Sequence, residues 1–282
     1  MLHRPLLNKQ YAARAGDSEY PDLWPGYKVG FAPCLGYAGR NIPDVSPSRF
    51  NFTPSGTAMS VVQSPIGPAM YFTGNAAMEQ VAASWGSPSK FNVHPTGDED
   101  RFIILAVFRF THSAGAKEST IFWSDNPTVG FPSYFGYRLY VDNNADKLKL
   151  MVANNDDNVL TSSTYYTSNT TLTSGRWYVA VVTWDWFGRD NAAVDLCSMY
   201  LDGVDEGYFA FTPSAPSGTE EPPSHSTARA ARIGATLGST APDLAVALVN
   251  IWQVYGSPSQ TTTIARVAQL SADPLAMFRR RR

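Results

Sequence analysis

Charge is scarce in this chain. Of its 282 residues, 16% are Asp, Glu, Lys or Arg and the formal net charge is −2, against about 25% charged residues in an ordinary soluble domain. That balance argues against a nucleic-acid-binding domain, which needs a basic face. Cysteine occurs twice, as Cys34 and Cys197, too sparsely for a disulfide framework or a thiolate metal site. Cys197 lies in an apolar stretch and reads as a buried thiol. The longest apolar run, around Leu244 to Ile251, falls far short of the roughly 20 residues that cross a bilayer as a helix. Met1 to Lys9 holds no apolar core of signal-peptide length, so the expected site of synthesis is a cytoplasm, without a cleaved leader.

Catalytic signatures are missing too. His3, His94, His112 and His225 sit at no spacing that suggests zinc. There is no Gly-x-Ser-x-Gly nucleophile elbow and no phosphate-cradling glycine loop. Helical periodicity is absent until near the end, where Ile264, Val267, Ala268 and Leu270 recur at helical spacing. Thr261 can cap that segment, and Pro274 lies just past it.

What is present is strand material. Hydrophobic residues make up 44% and aromatics 13%, which suits an ordered globular chain. Arg101 to Thr111 is apolar on both faces, with Phe102, Ile104, Ala106 and Phe108 on one and Ile103, Leu105 and Val107 on the other. Further strands are read at 69–73, 119–123, 136–142, 147–153, 176–186, 194–202, 230–235 and 244–255. A strand apolar on both faces must be covered on both. Residues 1–68 are rich in Pro, Gly and aromatics, including Leu23, Trp24, Tyr27, Phe31 and Leu35, too apolar for a solvated linker. They are expected to supply most of that outer cover. Trp177 and Trp184 must face opposite sides of their strand, and Trp177 is expected between the sheets.

Three stretches carry a family resemblance. Gly175 to Asp185 reads Gly-Arg-Trp-Tyr-Val-Ala-Val-Val-Thr-Trp-Asp, and Ser198 to Gly203 follows with an Asp-Gly turn. Leu23 to Gly36 reads Leu-Trp-Pro-Gly-Tyr-Lys-Val-Gly-Phe-Ala-Pro-Cys-Leu-Gly, and the chain closes on Asp273-Pro274 and Met277-Phe278-Arg279. In order and spacing these are similar to laminin-G-like, concanavalin A-like jelly rolls of the lectin and glucanase group, and the ending resembles a branch found among phage virion proteins. The resemblance implies an all-β, two-sheet antiparallel β-sandwich. It would comprise an extended arm at 1–22, the jelly roll at 23–258 with an irregular entry at 23–68, and a helix with a basic tail at 259–282.

Hydrolases on this fold carry Glu-x-Asp-x-(x)-Glu, whose period-two spacing aims two carboxylates into one cleft. No such pattern occurs: Asp98-Glu99-Asp100 is consecutive, and Glu220-Glu221 abuts Pro222-Pro223. The chain therefore reads as a non-enzyme with no catalytic residue and no cofactor. Within Asn154 to Asn158, Asp156 and Asp157 are candidate calcium ligands, the alternative being an Asx-rich loop. Trp123, Tyr134 and Trp186 are candidate sugar-stacking residues, the alternative being core. Leu6, Leu7, Tyr11, Tyr20 and Arg279, Arg280, Arg281 and Arg282 are candidate assembly contacts, the arginines against an acidic surface.

The resemblance implies a structural virion protein of a tailed phage, a capsid decoration or cement protein. Its partners would be further copies of itself and a major capsid or other virion protein, with no nucleic acid and no membrane. The alternative is a carbohydrate-binding, lectin-like module of a fibre or adhesin.

Overall fold

In the computed structural model, the described residues are 11–36, 41–47, 51–56, 59–74, 76–80, 101–112, 118–125, 136–156, 159–185, 197–211, 230–234, 243–254, 266 and 268–281. The strands among them are β1 (Tyr27–Phe31), β2 (Thr53–Ser55), β3 (Met59–Ser64), β4 (Gly67–Phe72), β5 (Ala77–Gln80), β6 (Arg101–Phe110), β7 (Glu118–Asp125) and β8 (Gly136–Asp142). They continue with β9 (Lys147–Asp156), β10 (Val159–Ser168), β11 (Trp177–Asp185), β12 (Cys197–Leu201), β13 (Val204–Asp205), β14 (Tyr208–Phe211), β15 (Ala230–Gly234) and β16 (Leu244–Val254).

The strands form an all-β sandwich of two antiparallel sheets. The first runs β13-β12-β11-β6-β16-β4-β3, with β1 also paired to β16, and the second runs β14-β10-β9-β8-β7-β15-β5-β2. Alternation decides what lies between them. Ile104, Ala106, Phe108 and Phe110 of β6, with Tyr178, Ala180, Val182 and Trp184 of β11, meet Leu139, Val141, Leu148 and Leu150 of the second sheet in the main core.

The opposite face of the first sheet is equally apolar and is closed by the chain's own two ends. Ile103, Leu105, Val107, Val181 and Trp252 form its floor. Leu23, Trp24 and Leu35 from the N-terminal side and Leu270, Met277 and Phe278 from the C-terminal side cover it. A bulge between Val246 and Leu248 lets β16 serve both layers, with Val246 and Val249 inward and Ala247 and Leu248 outward. Such an extra residue breaks the strict alternation locally.

The two ends are tied to each other as well as to the sheet. Tyr11 bridges to Arg279 and Ser18 to Arg280. The Met277 carbonyl accepts from Ser18 Oγ at 2.7 Å and from Trp24 Nε1 at 3.2 Å. Trp252 Nε1 donates to the Leu23 carbonyl at 2.6 Å. A short helix that includes Arg266 and residues 268–272 joins this layer: Arg266 pairs with Asp22, and Ser271 Oγ accepts from Gly203 N at 2.8 Å. The outer cover is thus shared between arm and tail.

Two sequence expectations are corrected here. Trp177 is not between the sheets: it packs half-buried against the outer layer, and Trp184 occupies the inter-sheet position. Alternation made the two tryptophans opposite but left open which one faced inward. The Asn154 to Asn158 run is not simply a loop, because Asn154, Asn155 and Asp156 extend β9, with Asp156 opposite Val159.

Candidate functional site

Of the sugar-stacking candidates, Tyr134 and Trp186 lie outside the described residues, as do Leu6, Leu7, Asp157 and Arg282. Trp123 is described and corrects the expectation: it is 4% exposed, so its faces are not offered to a ligand. It stands in a transverse row on the outer face of the second sheet, where registers place Glu79, Arg232, Trp123 and Arg138 side by side on four strands. The Arg232 guanidinium lies 5.6 Å from the Trp123 ring and that of Arg138 lies 4.5 Å from Tyr140. Arg138 binds Glu118 and also donates to Thr120 Oγ1, while Arg232 Nε is 3.1 Å from Glu79 Oε1.

Both arginines are buried, so each needs its carboxylate nearby. The row is an internal charge network. Its acids do not make a hydrolytic pair. Glu79 and Glu118 are separated by β15 across the sheet and by five residues along β7 from Trp123. That is more than about 15 Å at ordinary strand spacing and rise, beyond the roughly 5–9.5 Å of glycosidase carboxylates.

A cleft of about 560 Å³ opens beside the arm, walled by Trp24, Leu35 and Phe278 with Arg14, Asp44 and Ser46 among its polar neighbours. Asp44 is committed there to holding the chain. Its Oδ1 accepts from Gly30 N at 2.9 Å and Ser46 N at 2.8 Å, and its Oδ2 from Gln80 Nε2 at 3.1 Å. The cleft is the seam between arm, tail and this anchored turn.

The assembly candidates are likewise drawn inward. Tyr11 and Tyr20 pack against the outer layer. Arg279 pairs with Asp273 at 2.6 Å. Arg280 and Arg281 are exposed, but their backbones are fixed by the Ser18 bridge and by the Arg281 N to Asp17 carbonyl bond.

A set of part-exposed aromatic and charged side chains occurs at one end of the first sheet. Trp177 on β11 pairs with Arg109 on β6, Arg109 with Ala245 on β16, and Ala245 with Tyr71 on β4. Inward neighbours fix their direction. Phe108 and Phe110 flank Arg109, and Met70 and Phe72 flank Tyr71, all four in the main core, so Arg109 and Tyr71 point outward. The row spans three strand spacings, about 14 Å. Trp177, Arg109, Tyr71 and the adjoining Asp243 are all part-exposed.

The Arg109 Cζ lies 5.3 Å from the Trp177 ring centroid, inside cation–π range. Partial burial and the Asp243 carboxylate to which it donates push the Tyr71 hydroxyl up to about 12, with nearby Arg109 acting in the opposite sense. The hydroxyl therefore stays protonated at neutral pH. No ion pair joins Arg109 to a carboxylate among the described residues. This shelf thus presents two part-exposed aromatic rings, a planar set of donors and a carboxylate acceptor. Sequence reasoning missed Arg109, Tyr71 and Asp243. The available signal was a charge inside an apolar strand, Phe108-Arg109-Phe110, which alternation turns outward.

No family model and no curated protein sequence matches this chain. Solved structures do. The botulinum neurotoxin serotype G binding domain superposes with a TM-score of 0.53 at 12% identity, over 87% of this chain and 51% of that one. Trypanosoma rangeli sialidase gives 0.53 at 12% identity over 88% and 33%. A structure of botulinum neurotoxin type C, whose cell entry is described as dependent on two ganglioside molecules, gives 0.50 at 11% over 86% and 51%. The likeness is one of fold. This chain spans about half the length of the toxin chains and a third of the sialidase.

Proposed function

We propose that this protein is a carbohydrate-binding, lectin-like module that binds sugars on the shelf of Trp177, Arg109, Tyr71 and Asp243. The part-exposed aromatic–arginine–aromatic row carries the reading. Sugars present apolar C–H faces that lie on aromatic rings, and hydroxyls that pair with fixed donors and acceptors. Binding sites of this kind combine apolar surface with a few placed polar groups. A row about 14 Å long suits a short oligosaccharide better than a stable protein interface, which needs roughly 800 Å² per partner. The toxin structures of the same fold, one described as using gangliosides for entry, are consistent with it.

The capsid-decorating reading needed an arm available to a neighbour. Residues 11–24 pack on this chain's own sheet, which favours the lectin-like reading. The test is a broad glycan array probed with the full chain and with Trp177→Ala. Binding to a defined set of glycans that weakens in Trp177→Ala supports the reading, and an array that stays blank overturns it.

A further inference from the structure

Arg109 is the unusual member of the shelf. Two other arginines on the sheets, Arg138 and Arg232, each lie beside a carboxylate. Arg109 is ion-paired with none among the described residues, and its guanidinium lies over the Trp177 ring. Stacking on the indole removes rotamer freedom from a long, flexible side chain, so the guanidinium is held in place before any ligand arrives. Its part-buried position limits the water that competes for it. A planar fork of N–H groups in that state matches a carboxylate in two-point geometry better than it matches a single hydroxyl.

Resting on the carbohydrate-binding reading above, we infer that the shelf selects sugars bearing a carboxylate, with Arg109 as the residue that reads it. The sugar carboxylate accepts from the Arg109 fork, and the ring lies along the aromatic row. A ring hydroxyl donates to Asp243, which Tyr71 already orients through its own hydroxyl. Asp243 serves a second purpose in this arrangement. It repels a ligand whose negative charge lies at the Tyr71 end, and so fixes which way along the row the acidic sugar points.

The chemistry is shared by uronic and sialic acids, and the experiment separates them. Calorimetry on the full chain would use a galacturonate trimer and the same trimer after carboxyl reduction, then a sialylated trisaccharide and its desialylated form. The expected result is at least tenfold tighter binding of one acidic sugar than of its neutral counterpart. Arg109→Met, which keeps the packing of the stem, should abolish that preference. Arg109→Lys, which keeps charge without the fork, should retain only part of it. The pair that shows the preference identifies the sugar class. Equal binding of acidic and neutral forms, or a preference that survives Arg109→Met, overturns the inference and leaves the carbohydrate-binding reading standing. A blank glycan array alongside no binding of any of the four sugars overturns both.

Discussion

The indole Nε1 of Trp184 donates to the Tyr166 hydroxyl at 3.3 Å, joining β11 of one sheet to β10 of the other across the core. The bond identifies which face of β11 is internal, and with it the face on which Trp177 stands. Truncating Trp184 to Ala empties an inter-sheet site, which typically costs about 3–5 kcal/mol. Trp177→Ala removes a part-exposed ring and should cost about 1 kcal/mol, the usual centre for point variants. Urea unfolding followed by circular dichroism measures both. A larger cost for Trp177→Ala than for Trp184→Ala would mean that the two faces have been assigned the wrong way round.

The arm should behave as part of the domain. Trp24 makes edge-on contacts with Tyr27 at 5.9 Å and Phe278 at 6.2 Å, besides its bond to Met277. Trp24→Ala should lower stability by about 3–5 kcal/mol. Removing residues 1–24 should expose the apolar floor of Leu105, Val107 and Trp252 and raise binding of a hydrophobic dye. A truncated chain that melts at the native temperature with no added dye binding would show that the cover is dispensable.

Gly30 is required for space. A Cβ there would fall on the Tyr27 hydroxyl and lie 2.6 Å from Val45 Cγ2, while Tyr27 itself is held by a 2.8 Å bond to Asn250 Oδ1. Gly30→Ala should destabilise by roughly 1–3 kcal/mol through overpacking. Because the clash involves the hydroxyl, the loss should shrink in a Tyr27→Phe background. A double-mutant cycle reads the coupling, and strict additivity would show that the hydroxyl is not the obstacle.

Alkaline pH should weaken the fold. Burial raises the Cys34 thiol from 9.0 to about 12, and burial, followed by the Asp44 charge, lifts Tyr27 well above its usual value. Both groups hold their protons more tightly folded than unfolded. Their contribution is therefore complete below the unfolded value and is lost as pH rises towards the folded one. Between pH 9 and 12, Cys34 alone should remove about 1.4 kcal/mol per pH unit. Unfolding midpoints across pH 7–11 should be level up to about 9 and then fall, and Cys34→Ala should flatten part of the fall. A midpoint that holds constant to pH 11 would contradict this assignment.

Much of the architecture was legible from local pattern. The two faces of β6 are legible from residue 103 onward, because a period of two is written into Ile103 to Phe110. The paired strands of the β8–β9 hairpin and the closing β16 were equally plain. β10 was missed because its Ser- and Thr-rich sequence resembles a loop; pairing with β9 and β14 makes it a strand. The short strands β2, β3 and β5 span only three to six residues each, too few to show a clear period of two.

The candidate site was far less legible. Tyr71, Arg109, Trp177 and Asp243 come from four separate parts of the chain, and no spacing within any one of them marks the group. Local pattern was enough for a strand-rich chain, the need to cover both faces of β6, and the opposed directions of Trp177 and Trp184, while the sandwich came from the resemblance. Long-range contacts put the chain's own ends over the sheet, enclose Trp123 while Trp177 reaches solvent, and stand Arg109 on an indole with no ion-paired carboxylate among the described residues. The physical reason is that alternation along a strand is a local property, whereas strand order, register and burial are fixed by contacts between residues far apart in sequence.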